Sequence, residues 1–208
     1  MKPIFKPLII IVTALLCVSL VGCGGDDEDD MKDDVAIDFV DTTWQVVSIN
    51  GLMFEQLFAA DEEAEFETEF MLGENSWTFS TDGSFTGTLK FIVTEKYPEP
   101  VSSMTQEIDI NSAGDYTVEG TTLTVTNHDL TIDVDVTLEP KEVWEQQIVG
   151  KTVEELEDDL AAETKLGFAP TASGALFRDG TEYTWRHEED SLTFSNLTQV
   201  IVLERAVE

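Results

Sequence analysis

Between residues 129 and 138 the chain alternates without a break. Leu130, Ile132, Val134, Val136 and Leu138 share one parity; Asp129, Thr131, Asp133, Asp135 and Thr137 share the other. A period of two marks a strand with one buried face and one wet face. Trp44 to Ile49 reads as a short, apolar-rich first strand. Trp77 and Phe79 precede, and Phe85, Leu89 and Phe91 follow, a Thr-Asp-Gly turn at 81–83, the pattern of a hairpin. Tyr116 and Val118, a Glu-Gly turn, then Leu123 and Val125 repeat the design. Segments 175–179, 182–186, 191–195 and 199–205 read as further short strands, which brings the expected total to about ten.

Two stretches break the pattern. Residues 52–70 have a helix-like period and few turn residues. They carry Phe54, Phe58, Phe66 and Phe70, and would either lie over a barrel mouth as a lid or pack against its outside. Residues 152–164 open with a capping box, Thr152 and Glu155, and continue through Val153, Leu156 and Leu160 as an amphipathic helix. Many short strands joined by tight turns favour closure, because closure removes exposed edges. The expected fold is all-β: an antiparallel up-and-down barrel of about eight to ten strands with one or two helical insertions.

The N-terminus follows other rules. Lys2 and Lys6 precede an apolar run from Leu8 to Leu16, too short for an ordinary membrane span, and small residues follow to Gly22. This is the layout of a secretory signal peptide. Leu20-Val21-Gly22-Cys23 at its end resembles the bacterial lipobox. The resemblance implies cleavage before Cys23 and acylation of its sulfur, so that residues 1–22 are a lipoprotein signal peptide and Cys23 is the membrane anchor. Residues 23–37 begin with Cys23 and run on as an acidic, low-complexity flexible tether. Residues 38–208 form the folded domain. Gly24 follows the cysteine where aspartate would signal retention at the inner membrane, so the resemblance points to the outer membrane of a Gram-negative cell.

Charge then removes whole classes of partner. Forty-three acidic residues face eleven basic ones, for a net charge of -32. Such a surface repels phosphate backbones, and nucleic acid is excluded as a partner. Cys17 leaves with the leader and Cys23 is then alone, so the mature chain forms no internal disulfide. The acidic run lacks the EF-hand spacing, and no metal or cofactor is expected. No nucleophile elbow, zinc-binding helix, Walker loop or dinucleotide fingerprint occurs. His128 and His187 each flank a strand; His128 and Asp129 are adjacent and point to opposite faces. No catalytic residue is assigned, and an enzyme is not the expected reading.

Four segments carry a second resemblance: "TTWQVVSING", "WTFSTDGSFTG", "GDYTVEGTTLTVT" and "VIVLER". They look like the opening strand, central hairpins and final strand of bacterial lipocalin-like lipoprotein domains. In lipocalins an arginine of the last strand packs across a tryptophan of the first and closes the barrel's base. The matching positions are Arg205 and Trp44, with Thr42 where the lipocalin motif has glycine. The resemblance implies a small hydrophobic or amphipathic ligand inside the barrel. Its lining would come from Phe79, Phe85, Leu89, Phe91, Tyr116, Val118, Leu123, Val125, Trp185 and Phe194. The same residues would serve equally well as a solid core, in which case the domain is a structural or protein-interaction module of the cell envelope.

Overall fold

The computed structural model describes residues 39–53, 56, 66–98, 100–175 and 177–206, with 167–175 described by backbone alone. The leader, Cys23 and the tether lie outside these residues, as do Phe54 and Phe58. The elements are β1 (Thr43–Ile49), β2 (Leu52–Met53), β3 (Glu67–Phe79), β4 (Ser84–Pro98), β5 (Val101–Glu119), β6 (Thr122–Glu139), α1 (Lys141–Glu145), α2 (Val153–Ala175), β7 (Glu182–Glu188), β8 (Ser191–Ser195) and β9 (Val200–Arg205). Every pairing is antiparallel between neighbours, and β1 also pairs with β9. Eight strands therefore close into an up-and-down barrel of lipocalin-like architecture, with β2 as an extra strand beside β1.

The hairpins form where the turn residues demand them. Gly83 has φ +84, a conformation that costs glycine little. The Asp82 carboxylate accepts bonds from the Ser84 hydroxyl at 2.6 Å and backbone N–H at 3.0 Å. Those bonds hold its pKa below the usual carboxylate value.

Strand lengths are unequal, and this sets the shape. β7, β8, β9 and β1 have five to seven residues, whereas β4, β5 and β6 have fifteen to nineteen. β6 meets β7 only at Thr122–Thr124, and β1 meets β3 only at Thr43 and Trp44. The far halves of β3, β4, β5 and β6 thus run past the barrel as a four-stranded wing. Two register shifts keep one face of the wing continuous with the barrel interior. In β3 the inward residues change from Thr68 and Phe70 to Asn75, Trp77 and Phe79 across the shift between Leu72 and Asn75. In β6 they change from Leu138, Val136, Val134, Ile132 and Leu130 to Val125 and Leu123 around Asn127, at φ +52. An inserted residue flips the faces that follow it. The two β6 patterns that read as separate strands are consequently one bent strand; with 175–179 not a strand and β2 added, the described residues hold nine strands where about ten were expected.

Two sequence expectations are corrected and a third is extended. Within the helix-like stretch 52–70, Leu52–Met53 and residues 67–70 are strand, not helix: Leu52 and Met53 pair with Ile49 and Ser48, and Glu67, Thr68, Glu69 and Phe70 pair in register with Lys96, Glu95, Thr94 and Val93. Phe70 packs on Phe91 within the sheet, 5.8 Å between ring centroids, and so belongs to no lid. Segment 175–179 is not a strand: α2 runs through Ala175, and 179–180 is a turn. The helix expected at 152–164 is real and longer, and its capping box closes both ways, Thr152 N–H to Glu155 at 2.8 Å and Glu155 N–H to Thr152 at 3.2 Å. Despite its 23 residues, α2 is not apolar enough to cross a membrane.

Candidate ligand-binding site

The six aromatic positions expected to line a ligand cavity point inward and are at most 7 % exposed. Phe91 packs on Phe70, and the other five meet around two rings that the sequence reading did not single out, Phe39 and Phe177. Phe39 lies 5.4 Å from Phe79, 5.0 Å from Trp185 and 6.1 Å from Phe194. Phe177 lies 5.7 Å from Phe85, 5.9 Å from Phe79 and 5.3 Å from Phe194. These are edge-on and tilted contacts at the separations aromatic pairs prefer. The polar tips are also satisfied: Tyr116 donates to the Ser80 carbonyl at 2.7 Å and Trp185 to the Gly120 carbonyl at 3.1 Å. At this end the rings fill the barrel against one another.

Trp44 is fully buried at the barrel's base. Its indole N–H donates to the Phe39 carbonyl at 2.9 Å, and the Arg205 guanidinium carbon lies 5.7 Å from its ring centroid. Trp44 and Arg205 face each other in the β1–β9 ladder. Arg205 also reaches Asp190 at 3.3 Å.

The wing differs in kind. Its inner face is mostly apolar, and α1 and α2 cover part of it through Trp144, Val153, Leu156 and Leu160. Polar residues interrupt it, among them Glu95, Tyr97, Ser102 and Gln106, and Thr164 of α2 meets Gln106. Glu95 is 1 % exposed. Among the described residues its carboxylate has one hydrogen bond, accepted at Oε2 from the Tyr97 hydroxyl. Burial pushes the Glu95 pKa up, against the pull of the Tyr97 bond. Burial, reinforced by the neighbouring carboxylate, pushes the Tyr97 phenol up as well. Nearby, Thr164 donates to the Gln106 side-chain oxygen at 3.4 Å, and the Ser102 hydroxyl donates to the Pro100 carbonyl at 3.0 Å.

Beside this cluster lies an open cleft of about 800 Å3. The β4–β5 hairpin forms one wall with Lys96, Tyr97, Val101, Ser102 and Ser103. The corner from β6 into α1, which adjoins the hairpin where Glu139 pairs with Ser103, continues the lining with Glu139, Pro140, Lys141 and Glu142. Tyr97 is the aromatic surface of the cleft, and two further rings pack on it: Trp144 edge-on at 5.9 Å and Phe66 tilted at 5.5 Å. Both lysines are engaged, Lys96 with Glu69 and Lys141 with Glu157.

Sequence reading missed this site because Glu95 sits in "VTEKYPEP", which looks like the polar end of a strand. One signal was available: Glu95 shares the parity of Phe85, Leu89, Phe91 and Val93.

Glu95 yields a prediction whose sign is fixed. A carboxyl whose pKa is raised on folding contributes stability below its unfolded value, and that stability is lost as pH rises through the folded value. Glu95→Gln keeps the shape and removes the charge. We expect it to stabilise the protein by about 1–3 kcal/mol at neutral pH, the usual scale of a poorly satisfied buried group. The gain should vanish below the ordinary glutamate value of 4.5. Urea unfolding of both proteins across that range measures the difference.

The histidines hold other places. His128 Nε2 lies 2.7 Å from the Ser112 hydroxyl, and burial pushes its pKa down. The Asp179 carboxylate meets the His128 backbone N–H at 3.3 Å. His187 stands edge-on to Trp44 at 5.5 Å. Asp133 and Asp135 are exposed on the outer face of β6. Among the described residues, no group of three histidine, cysteine, aspartate or glutamate side chains is placed to hold a metal ion.

No family model matches this chain, and no curated protein matches it significantly. Function must be argued from the site.

Proposed function

We propose that this chain is a lipid-anchored cell-envelope protein whose lipocalin-like barrel binds a small amphipathic ligand, seated in the wing cleft and not among the barrel's rings. The cleft carries the reading. Its volume of about 800 Å3 falls within the about 300–1,000 Å3 of small-molecule sites. It joins apolar surface to a few convergent polar groups, with a perturbed carboxyl immediately behind, the usual make-up of a ligand site. The ring-filled barrel end plays a different part, as the rigid body that fixes the wing.

The anchor rests on Cys23 and its lipobox-like setting, which lie outside the described residues. Cys23→Ser is expected to convert a membrane-bound protein into a soluble exported one, read by fractionation of the host's envelope. Retention in the membrane fraction would overturn the anchor. Native mass spectrometry of the same soluble variant tests the carrier reading, with a co-purifying small molecule at one per chain as the expected result.

The packed rings favour a second reading, a structural or interaction module of the envelope. That reading predicts a bare mass and no small molecule in the cleft.

A further inference from the structure

The cleft also carries information about the charge of what it takes. Its two lysines each form an ion pair with a carboxylate outside the lining, which offsets part of their charge at the cleft. Glu139 and Glu142 lie on the rim, both exposed. The chain as a whole carries -32. Such a field concentrates cations at the surface and repels anions.

Tyr97 supplies the second element. An aromatic face attracts a cation through its quadrupole. A phenol that donates its hydroxyl hydrogen to a carboxylate becomes more electron-rich, and Tyr97 donates to Glu95. Trp144 stands edge-on to the same ring and Phe66 leans on it, so the ring is held in place. The third element is apolar: Val101, 76 % exposed, and Pro140 both line the cleft.

We propose that the cleft takes an organic ammonium compound, its cationic head against the Tyr97 ring with Glu95 behind it, and its apolar body along Val101 and Pro140. This deepens the carrier reading and rests on it. Inorganic cations are poor candidates, since Glu95 is buried behind Tyr97 and no three carboxylates converge among the described residues. Anionic amphiphiles meet the wrong field.

The test compares two probes that share a chain and differ in head charge: octyltrimethylammonium and octyl glucoside. Each is titrated below its micellar concentration, at physiological salt, into the full chain carrying Cys23→Ser, with Trp fluorescence and calorimetry as readouts. We expect saturable one-to-one binding of the ammonium probe, with the glucoside weaker by about tenfold or more. Tyr97→Leu should weaken the ammonium probe by about tenfold, and Glu95→Gln should weaken it while raising stability. Glu107→Gln, an exposed acid on the outer face of β5, should leave binding unchanged. Should Tyr97→Leu fail to fold, Tyr97→Phe retains the ring and loses the bond to Glu95, and an intermediate loss is expected.

Equal affinity for the two probes would overturn the ammonium assignment and leave the carrier reading standing. Equal losses in Glu95→Gln and Glu107→Gln would trace binding to the overall charge and overturn it too. If neither probe saturates and native mass spectrometry shows a bare chain, both readings fall.

Discussion

Phe79→Ala is expected to lower stability by about 3–5 kcal/mol, the range for a large aromatic removed from a packed core. For a chain of this size that corresponds to a Tm lower by about 6–20 °C. Phe79 is fully buried, and its ring has five aromatic neighbours. Phe39 and Phe194 lie at 5.4 Å, Tyr116 at 5.5 Å, Phe177 at 5.9 Å and Phe85 at 6.0 Å. Removing the ring takes the central contact from all five at once. They come from β4, β5, β8 and two non-strand segments, so no single element can move in to fill the gap. The same variant tests where the ligand sits. If the rings are a solid core, the apo protein suffers the whole loss, and the new apolar cavity should bind benzene or xenon, as dry engineered cavities do. A loss below about 1 kcal/mol would mean that the rings do not pack tightly without a ligand, and would return the binding site to the barrel interior.

How far the sequence could be read depends on what each face buries. β1, the β3–β4 hairpin and the β6 wing were legible because apolar residues occupy nearly every inward position. The first half of β5 was not, because Ser102, Gln106 and Ser112 take inward positions there and are buried all the same. Glu95 hides in β4 for the same reason. The face pattern weakens where the candidate site lies, since a binding face needs polar groups at positions a core would fill with apolar ones. The helix-like period in 52–70 misled through Glu67 to Phe70, where acidic and half-buried residues alternate in a strand that mostly faces solvent. Trp44 and Arg205 could be paired from sequence only through the lipocalin resemblance; nothing in their spacing brings residues so far apart to one ladder.

Gly87 was passed over in the sequence, yet substituting it should cost nearly as much as removing Phe79. It lies opposite Trp77 in the β3–β4 ladder, and the indole lies across it. A methyl group built at Gly87 would stand 2.3 Å from two carbons of the Trp77 ring, where nothing can coexist. The clash must therefore be relieved by moving the indole. Trp77 is 1 % exposed and has Phe177 at 5.8 Å, so it cannot move without disturbing the packed rings. We expect Gly87→Ala to cost about 3 kcal/mol or more, the upper end for overpacking. Gly120→Ala is the control. Gly120 has φ +58 and open space around it, so it pays only backbone strain, about 1–2 kcal/mol. A glycine chosen for conformation and one chosen for close approach are thus separated by size of effect. They are separated again by rescue, because shrinking the partner with Trp77→Phe should recover part of the Gly87→Ala loss and none of the Gly120→Ala loss. Double-mutant cycles between contacting residues give about 0.5–3 kcal/mol, and coupling indistinguishable from zero between positions 77 and 87 would mean that the indole does not rest on the glycine.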